Sequence, residues 1–134
     1  MTARQKFDDI FQKNNSLLCI GLDTELEKLP KHLLSKANPI FNFNKAIIDS
    51  TYTLVAAYKP NIAFYEAYGL DGLKQLKLTM LYLQDKYPEI PIILDAKRGD
   101  IGNTNEDYAK AVFDKLGADA ITVHPYLGQE SLQP

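Results

Sequence analysis

The sequence predicts an α/β fold, the first half of a TIM (β/α)8 barrel with about four βα units. Short apolar runs alternate with amphipathic helical patterns, which indicates a parallel sheet covered by helices. Each apolar run ends in a polar or ionisable residue, and these residues are Asp23, Lys59, Asp95 and His124. They are spaced by 36, 36 and 29 residues, about the length of one barrel unit.

Composition limits the classes of protein to consider. The 134 residues are 46% hydrophobic and carry a formal charge of -2, so one domain with an ordinary core is expected, without a basic surface for nucleic acid. The single cysteine, Cys19, excludes an internal disulfide and is expected in the core. No signal sequence or bilayer-spanning stretch is present, so we expect no membrane partner and a cytoplasmic location.

The chain begins with a helix and a strand. Residues 2–14 should be helical, because Phe7, Ile10 and Phe11 lie on one apolar face. The continuous apolar run 17–22 is typical of a strand that is buried on both faces.

The second unit follows the same order. Residues 41–57 have apolar residues spaced for one helical face, and 55–63 is a weaker strand candidate. Pro60 cannot donate to a sheet, so we place it at the end of that strand. Residues 71–87 form the clearest helix, with apolar residues stepping by three and four, and Pro88 stops it.

Two further strands and a helix complete the pattern. Residues 90–95 form the third strand and 118–123 the fourth. The helix between them should begin with a capping box at 104–107 and end at Gly117. Because four units are half of a barrel of roughly 250 residues, we expect 1–134 to be the N-terminal part of a single barrel domain. A complete four-stranded open domain is the alternative, but it would lack its last helix.

The segment Asp95–Thr104 follows the third strand, where barrel enzymes carry their chemistry. Asp95 and Lys97 are two residues apart and should point to the same side of an extended chain, and Asp100 follows Gly99. If these charges are desolvated together, the carboxylates keep the lysine charged, and its ammonium can protonate a developing carbanion. A solvated surface cluster and a Mg²⁺ site are the alternatives, and Lys97 between the carboxylates argues against metal.

The same segment resembles the Asp-x-Lys-x-x-Asp-Ile signature of the orotidine 5′-phosphate decarboxylase family. Residues 19–23 resemble the first strand of that family, 57–66 its second strand in the longer bacterial branch, and 119–128 its fourth. All four segments occur in family order, so the resemblance covers the N-terminal half of such an enzyme.

The resemblance implies a carboxy-lyase that converts orotidine 5′-phosphate to uridine 5′-phosphate in de novo pyrimidine biosynthesis, without a cofactor or a metal. Lys97 would donate the proton to C6 of the pyrimidine. Asp95 would lie against the substrate carboxylate, either repelling it or holding Lys97 in place.

The resemblance also implies a homodimer with shared active sites. Asp100 would come from the neighbouring subunit, complete the catalytic charged network and touch the ribose, and Ile101 and Thr104 would reach across with it. Asp23 and Lys59 would hydrogen-bond the ribose hydroxyls within their own subunit.

Two other interpretations stay open. A metal-dependent sugar-phosphate lyase or isomerase of the same barrel type shares the Asp-x-Lys-x-x-Asp pattern, but Lys59 stands where such relatives resemble a carboxylate ligand. Alternatively, the chain is an inactive half-barrel with exposed sheet edges. The phosphate-binding loops of such barrels follow strands 7 and 8, so this chain is expected to lack that site.

Overall fold

The computed structural model describes residues 1–133 as four parallel strands that alternate with helices; residue 134 of the predicted domain lies outside this range. The helices are α1 (Ala3–Asn14), α2 (Lys31–Leu34), α3 (Pro39–Thr51), α4 (Ala63–Glu66), α5 (Gly69–Lys86) and α6 (Asn103–Ala109), which continues as a π-helical segment over Lys110–Leu116. The strands are β1 (Cys19–Gly21), β2 (Ala57–Lys59), β3 (Ile93–Arg98) and β4 (Ala120–Val123). Within residues 1–133, no helix is both long and apolar enough to cross a membrane.

The strands follow one another in the order β1-β2-β3-β4. β1 pairs with β2 and β3 pairs with β4, each in parallel. Two parallel bridges, Tyr58 to Ile92 and Asn61 to Asp95, join the two pairs. All carboxyl ends of the strands therefore lie at one edge, as the spacing of the polar strand ends predicts.

The core lies between this sheet and the helices α3 and α5. Helix α5 buries Leu76, Met80 and Leu83 against the sheet side of the molecule, which confirms the helix predicted over 71–87. Gly72 on the same helix has no room for a side chain, because a Cβ there would lie 2.0 Å from the carbonyl oxygen of Tyr65. Close packing of α5 on α4 thus depends on that glycine.

The prediction that the first strand is buried on both faces is wrong. Ile20 packs against the core, but Cys19 and Gly21 are exposed. Side chains alternate between the two faces of a strand, and in residues 1–133 the face that carries Cys19 is not covered. The placement of Cys19 in the core is therefore wrong as well.

The predicted capping box at 104–107 is also wrong. Helix α6 begins at Asn103, and its N-cap position is occupied by Gly102, which has a φ of 55° and no side chain to accept a hydrogen bond. Thr104 therefore lies inside the first turn. The predicted end at Gly117 is confirmed, since this residue has a φ of 75° and its N–H donates to the carbonyl of Val112.

Candidate active site

The carboxylate of Asp95 is the centre of the charged group at the strand ends. Its Oδ2 lies 3.0 Å from Nζ of Lys59, the last residue of β2. The backbone N–H of Asp95 donates to the carbonyl of Pro60, and the N–H of Ile62 donates to the carbonyl of Asp95. These bonds fix β2 and β3 side by side, so the ion pair follows from strand pairing.

Lys97 contacts the other oxygen of the same carboxylate, with its Nζ 2.6 Å from Oδ1 of Asp95. The two side chains meet as the sequence predicts, but through a bulge in the strand. Leu94 lies opposite Ile121 and Arg98 lies opposite Val123, so four steps along β3 face two steps along β4.

The bulge places Lys97 in an unusual backbone conformation. Its φ is 49°, in the left-handed region that non-glycine residues seldom occupy. Such conformations concentrate at functional sites, where the surrounding structure holds them. The Lys97 side chain is 65% exposed while that of Asp95 is 11% exposed, so the ammonium is anchored at a buried carboxylate and open on its other side.

The ammonium groups of Lys59 and Lys97 favour the charged form of the Asp95 carboxylate. Hydrogen bonds from Lys97, Thr122 and Lys59 hold the pKa of Asp95 well below its usual value, with that from Lys97 the largest cause. The hydrogen bond with Asp95 in turn raises the pKa of Lys59. Asp95 is therefore a carboxylate, and Lys59 an ammonium, at neutral pH.

Thr122 also belongs to this group, although no motif in the sequence points to it. Its hydroxyl lies 2.7 Å from Oδ1 of Asp95 and accepts a hydrogen bond from the backbone N–H of Lys97 at 3.0 Å. The only signal in the sequence is a hydroxyl residue inside the fourth apolar run, two positions before His124. That signal is weak, because threonine is common in strands.

Asp23 lies at the same edge and contacts the neighbouring unit through the backbone. Its Oδ1 accepts a hydrogen bond from the N–H of Asn61 at 3.1 Å. The adjoining Thr24 donates to the fully buried Asn44 at 2.6 Å. Tyr65 donates to the carbonyl of Leu22 at 2.8 Å, so the chain on both sides of Asp23 is fixed.

Among residues 1–133, Asp100, Ile101 and Thr104 form no side-chain hydrogen bond or ion pair with the Asp95 group. The Asp100 carboxylate accepts a hydrogen bond from the N–H of Ile101 at 2.8 Å, and among residues 1–133 it forms no ion pair with Lys97. Ile101 is 67% exposed, and Thr104 is exposed as well. The structure therefore joins Asp95 and Lys97 as the sequence predicts. It differs from the predicted pair of carboxylates around Lys97, because the described residues place two ammonium groups, Lys59 and Lys97, around the one carboxylate of Asp95.

The remaining polar residues of this edge stabilise its loops. Arg98 pairs with the carboxylate of Glu66 at 3.2 Å. The backbone N–H of His124 donates to the carbonyl of Arg98 at 3.0 Å. Gly99 passes close beside this histidine, since a Cβ on Gly99 would lie 3.2 Å from Nε2 of His124.

Four parallel strands alternate with helices, and their carboxyl edge carries a buried carboxylate between two ammonium groups. This arrangement is that of a partial (β/α)8 barrel with a charged site at its strand ends. Residues 16–134 match the family described as "Orotidine 5'-phosphate decarboxylase / HUMPS family". The chain belongs to this family and corresponds to the N-terminal half of its barrel.

Individual relatives agree with this assignment. The chain is 57% identical over 134 residues to orotidine 5′-phosphate decarboxylase of Christiangramia forsetii, covering all of this chain and 49% of the relative, and 54% identical to that of Flavobacterium johnsoniae, with the same coverage. The structure of Leishmania donovani OMP decarboxylase superposes with a TM-score of 0.84 at 35% identity, over 100% of this chain and 48% of that one. The chain therefore spans about half the length of the curated relatives it matches.

Proposed function

We propose that the protein to which this chain belongs decarboxylates orotidine 5′-phosphate to uridine 5′-phosphate. The observation that carries this proposal is the Asp95 carboxylate, bound on one oxygen by Lys97 and on the other by Lys59. The relatives named as orotidine 5′-phosphate decarboxylases support the choice of substrate. The step belongs to de novo pyrimidine biosynthesis.

The chemistry follows from the position of the ammonium of Lys97. The bond between C6 of the pyrimidine and the carboxylate breaks, carbon dioxide leaves, and the electron pair stays on C6. Lys97 then transfers a proton from Nζ to C6, and its positive charge stabilises the carbanion before that transfer. The 2.6 Å contact with Asp95 supports a role for Asp95 in holding Lys97, because proton transfer requires a fixed donor.

Lys59 and Asp23 are proposed to hydrogen-bond the ribose hydroxyls. Both lie at the carboxyl edge, and the Lys59 side chain is 32% exposed, so its remaining N–H groups are accessible. No cofactor or metal is required in this proposal, since the proton comes from Lys97. The phosphate group would be bound by loops late in the barrel, outside these four units.

We further propose a homodimer in which Asp100, Ile101 and Thr104 complete the site of the partner subunit. The exposure of Ile101 and Thr104, and the absence of an ion pair between Asp100 and Lys97 among residues 1–133, support this division. A cytoplasmic location is consistent with a nucleotide substrate and with a single cysteine.

The proposed reaction is tested with the full gene product that contains this chain. Consumption of orotidine 5′-phosphate, followed by ultraviolet absorbance, should proceed equally with and without EDTA. Lys97→Met should lower kcat by at least about 100-fold, the contribution typical of a general acid, whereas Lys13→Met should not, because Lys13 forms an exposed pair with Glu89. Activity that EDTA abolishes and Mg²⁺ restores would identify the metal-dependent sugar-phosphate enzyme instead.

The homodimer is tested by mixing two inactive variants, Lys97→Met and Asp100→Ala. If each site combines Lys97 of one subunit with Asp100 of the other, random exchange should restore about one quarter of the wild-type activity, because half of the dimers are mixed and each has one intact site. No recovery after demonstrated subunit exchange would contradict the shared site.

The 134-residue chain by itself should show little activity, since binding energy from the phosphate group is needed for catalysis. Turnover near that of the full gene product would show that these four units are sufficient. Aggregation or an unfolded chain would fit the interpretation as an incomplete half-barrel.

A further inference from the structure

The hydroxyl of Thr122 is shared between the two residues that carry the proposed chemistry. It lies 2.7 Å from Oδ1 of Asp95 and 3.0 Å from the backbone nitrogen of Lys97. A backbone N–H can only donate, so the Thr122 oxygen accepts from Lys97 and its single hydrogen points to Asp95. The two contacts therefore use its single hydrogen and one of its two lone pairs, and they fix the direction of the O–H bond.

The place of Thr122 in the sheet explains why this hydroxyl is needed. The ladder between β3 and β4 is interrupted between Leu94 and Arg98, and Lys97 has a φ of 49° there. Its N–H points to a side chain and not to a strand carbonyl. A left-handed lysine persists only when its surroundings hold it, and Thr122 supplies the hydrogen bond that the ladder does not.

The second contact acts on the carboxylate. Oδ1 of Asp95 receives both the Lys97 ammonium and the Thr122 hydroxyl, while Oδ2 receives Lys59. The three donors lie on three different strands, β2, β3 and β4. Rotation of the carboxylate is thereby restricted, and each oxygen keeps its own ammonium group.

We propose that Thr122 is a positioning residue of the decarboxylation, one that fixes the Asp95 carboxylate and the backbone of Lys97 so that the ammonium meets C6. This inference rests on the proposed function. Thr122 acts through Asp95 and Lys97, so removing its hydroxyl should affect the chemical step more than substrate binding.

The test compares Thr122→Val, which keeps the shape and removes the hydroxyl, with Thr122→Ser, which keeps the hydroxyl. Thr53→Val, in the exposed turn after α3, is the control. In the full gene product, Thr122→Val should lower kcat about 10- to 100-fold, the range for losing a hydrogen bond to a charged group, while KM changes less than about threefold. Thr122→Ser and Thr53→Val should stay within about threefold of wild type in kcat.

A second measurement needs no substrate. The carboxyl carbon of Asp95 is followed by NMR during acid titration, and in Thr122→Val its pKa should rise relative to the wild type, because a donor to the charged form is lost. Thr122→Ser should titrate like the wild type. If Thr122→Val matches the wild type in both kcat and titration, the positioning role is overturned. If the wild type does not consume orotidine 5′-phosphate, the proposed function fails, while the titration still decides whether Thr122 controls Asp95.

Discussion

Nζ of Lys59 and Oδ2 of Asp95 lie 3.0 Å apart although 36 residues separate them in the chain. The pair links the last residue of β2 to the middle of β3. Because Asp95 also binds Lys97, the position of one lysine depends on the other.

Lys59→Met should leave Asp95 with one ammonium partner and allow its carboxylate to turn. We expect kcat/KM for orotidine 5′-phosphate to fall by about 100-fold or more, since both the proposed contact with the ribose and a support of Asp95 are lost. Steady-state kinetics of the full gene product measure this. Lys45→Met is a matched control, because Lys45 pairs with Asp49 on helix α3, away from the strand ends. Equal kinetics for the two variants would exclude Lys59 from the site.

Acid should weaken the fold through Asp95. The folded-state pKa of this carboxyl lies below the usual value of 3.8, so its stabilising contribution is complete above that value and is lost as the pH falls through the folded-state pKa. The difference in free energy of unfolding between wild type and Asp95→Asn should therefore be constant from pH 7 to about pH 5 and shrink below about pH 4. Urea titrations across this pH range measure the difference in free energy of unfolding. A difference that does not change with pH would contradict the lowered pKa of Asp95 in the folded state.

Lys6 of helix α1 and Asp119, just before β4, form a pair at 2.7 Å. Their side chains are only 14% and 21% exposed, and Asp119 also accepts a hydrogen bond from the N–H of Ile92 at 2.8 Å. Lys6→Met should lower the free energy of unfolding by about 2 kcal/mol, between the values for exposed and buried pairs. Arg4→Met breaks the exposed Arg4–Asp8 pair on the same helix and should cost at most about 0.5 kcal/mol. If Lys6→Met and Arg4→Met lower the free energy of unfolding in urea by the same amount, burial of the Lys6–Asp119 pair does not add to stability.

Asn105 fixes the loop that carries the residues proposed to serve the partner subunit. Its Oδ1 accepts from the N–H of Asp100 at 2.8 Å, and its Nδ2 donates to the carbonyls of Asp100 and Ser131. Asn105→Ala leaves the buried carbonyl of Ser131 and the partly buried backbone groups of Asp100 unpaired, and it should lower the free energy of unfolding by about 2 kcal/mol.

Hydrogen exchange measures the local effect of that substitution. Amides of the loop from 99 to 102 should exchange faster in Asn105→Ala than in the wild type, because opening of the loop requires less free energy. Asn103→Ala, at the exposed start of the same helix, is the control and should leave loop exchange near the wild-type rate. Unchanged exchange of these amides in Asn105→Ala would contradict the role of Asn105 in fixing the loop.

The spacing of apolar residues and the helix-ending glycine predict the helices well where the structure of a segment depends on its own residues. Helix α5 over Gly69–Lys86 and the end at Gly117 agree with the sequence, since apolar spacing and a left-handed glycine are local properties. The start of α6 does not agree, because Gly102 takes the N-cap position in place of a residue with a capping side chain. The predicted burial of Cys19 does not agree with the structure either, since the exposure of a side chain depends on what covers the strand and not on the polarity of the strand.

The sequence by itself determined the order of strands and helices, the family resemblance, and the location of Asp23, Lys59, Asp95 and Lys97 at one edge. These follow from alternation and from the rule that parallel strands share a carboxyl edge. Only the tertiary structure decided which side chains touch: the bulge that brings Lys97 onto Asp95, the hydroxyl of Thr122 between them, and the lack of an ion pair between Asp100 and Lys97 among residues 1–133. Such contacts depend on register and backbone angles across residues far apart in the chain, and no spacing along a single strand encodes them.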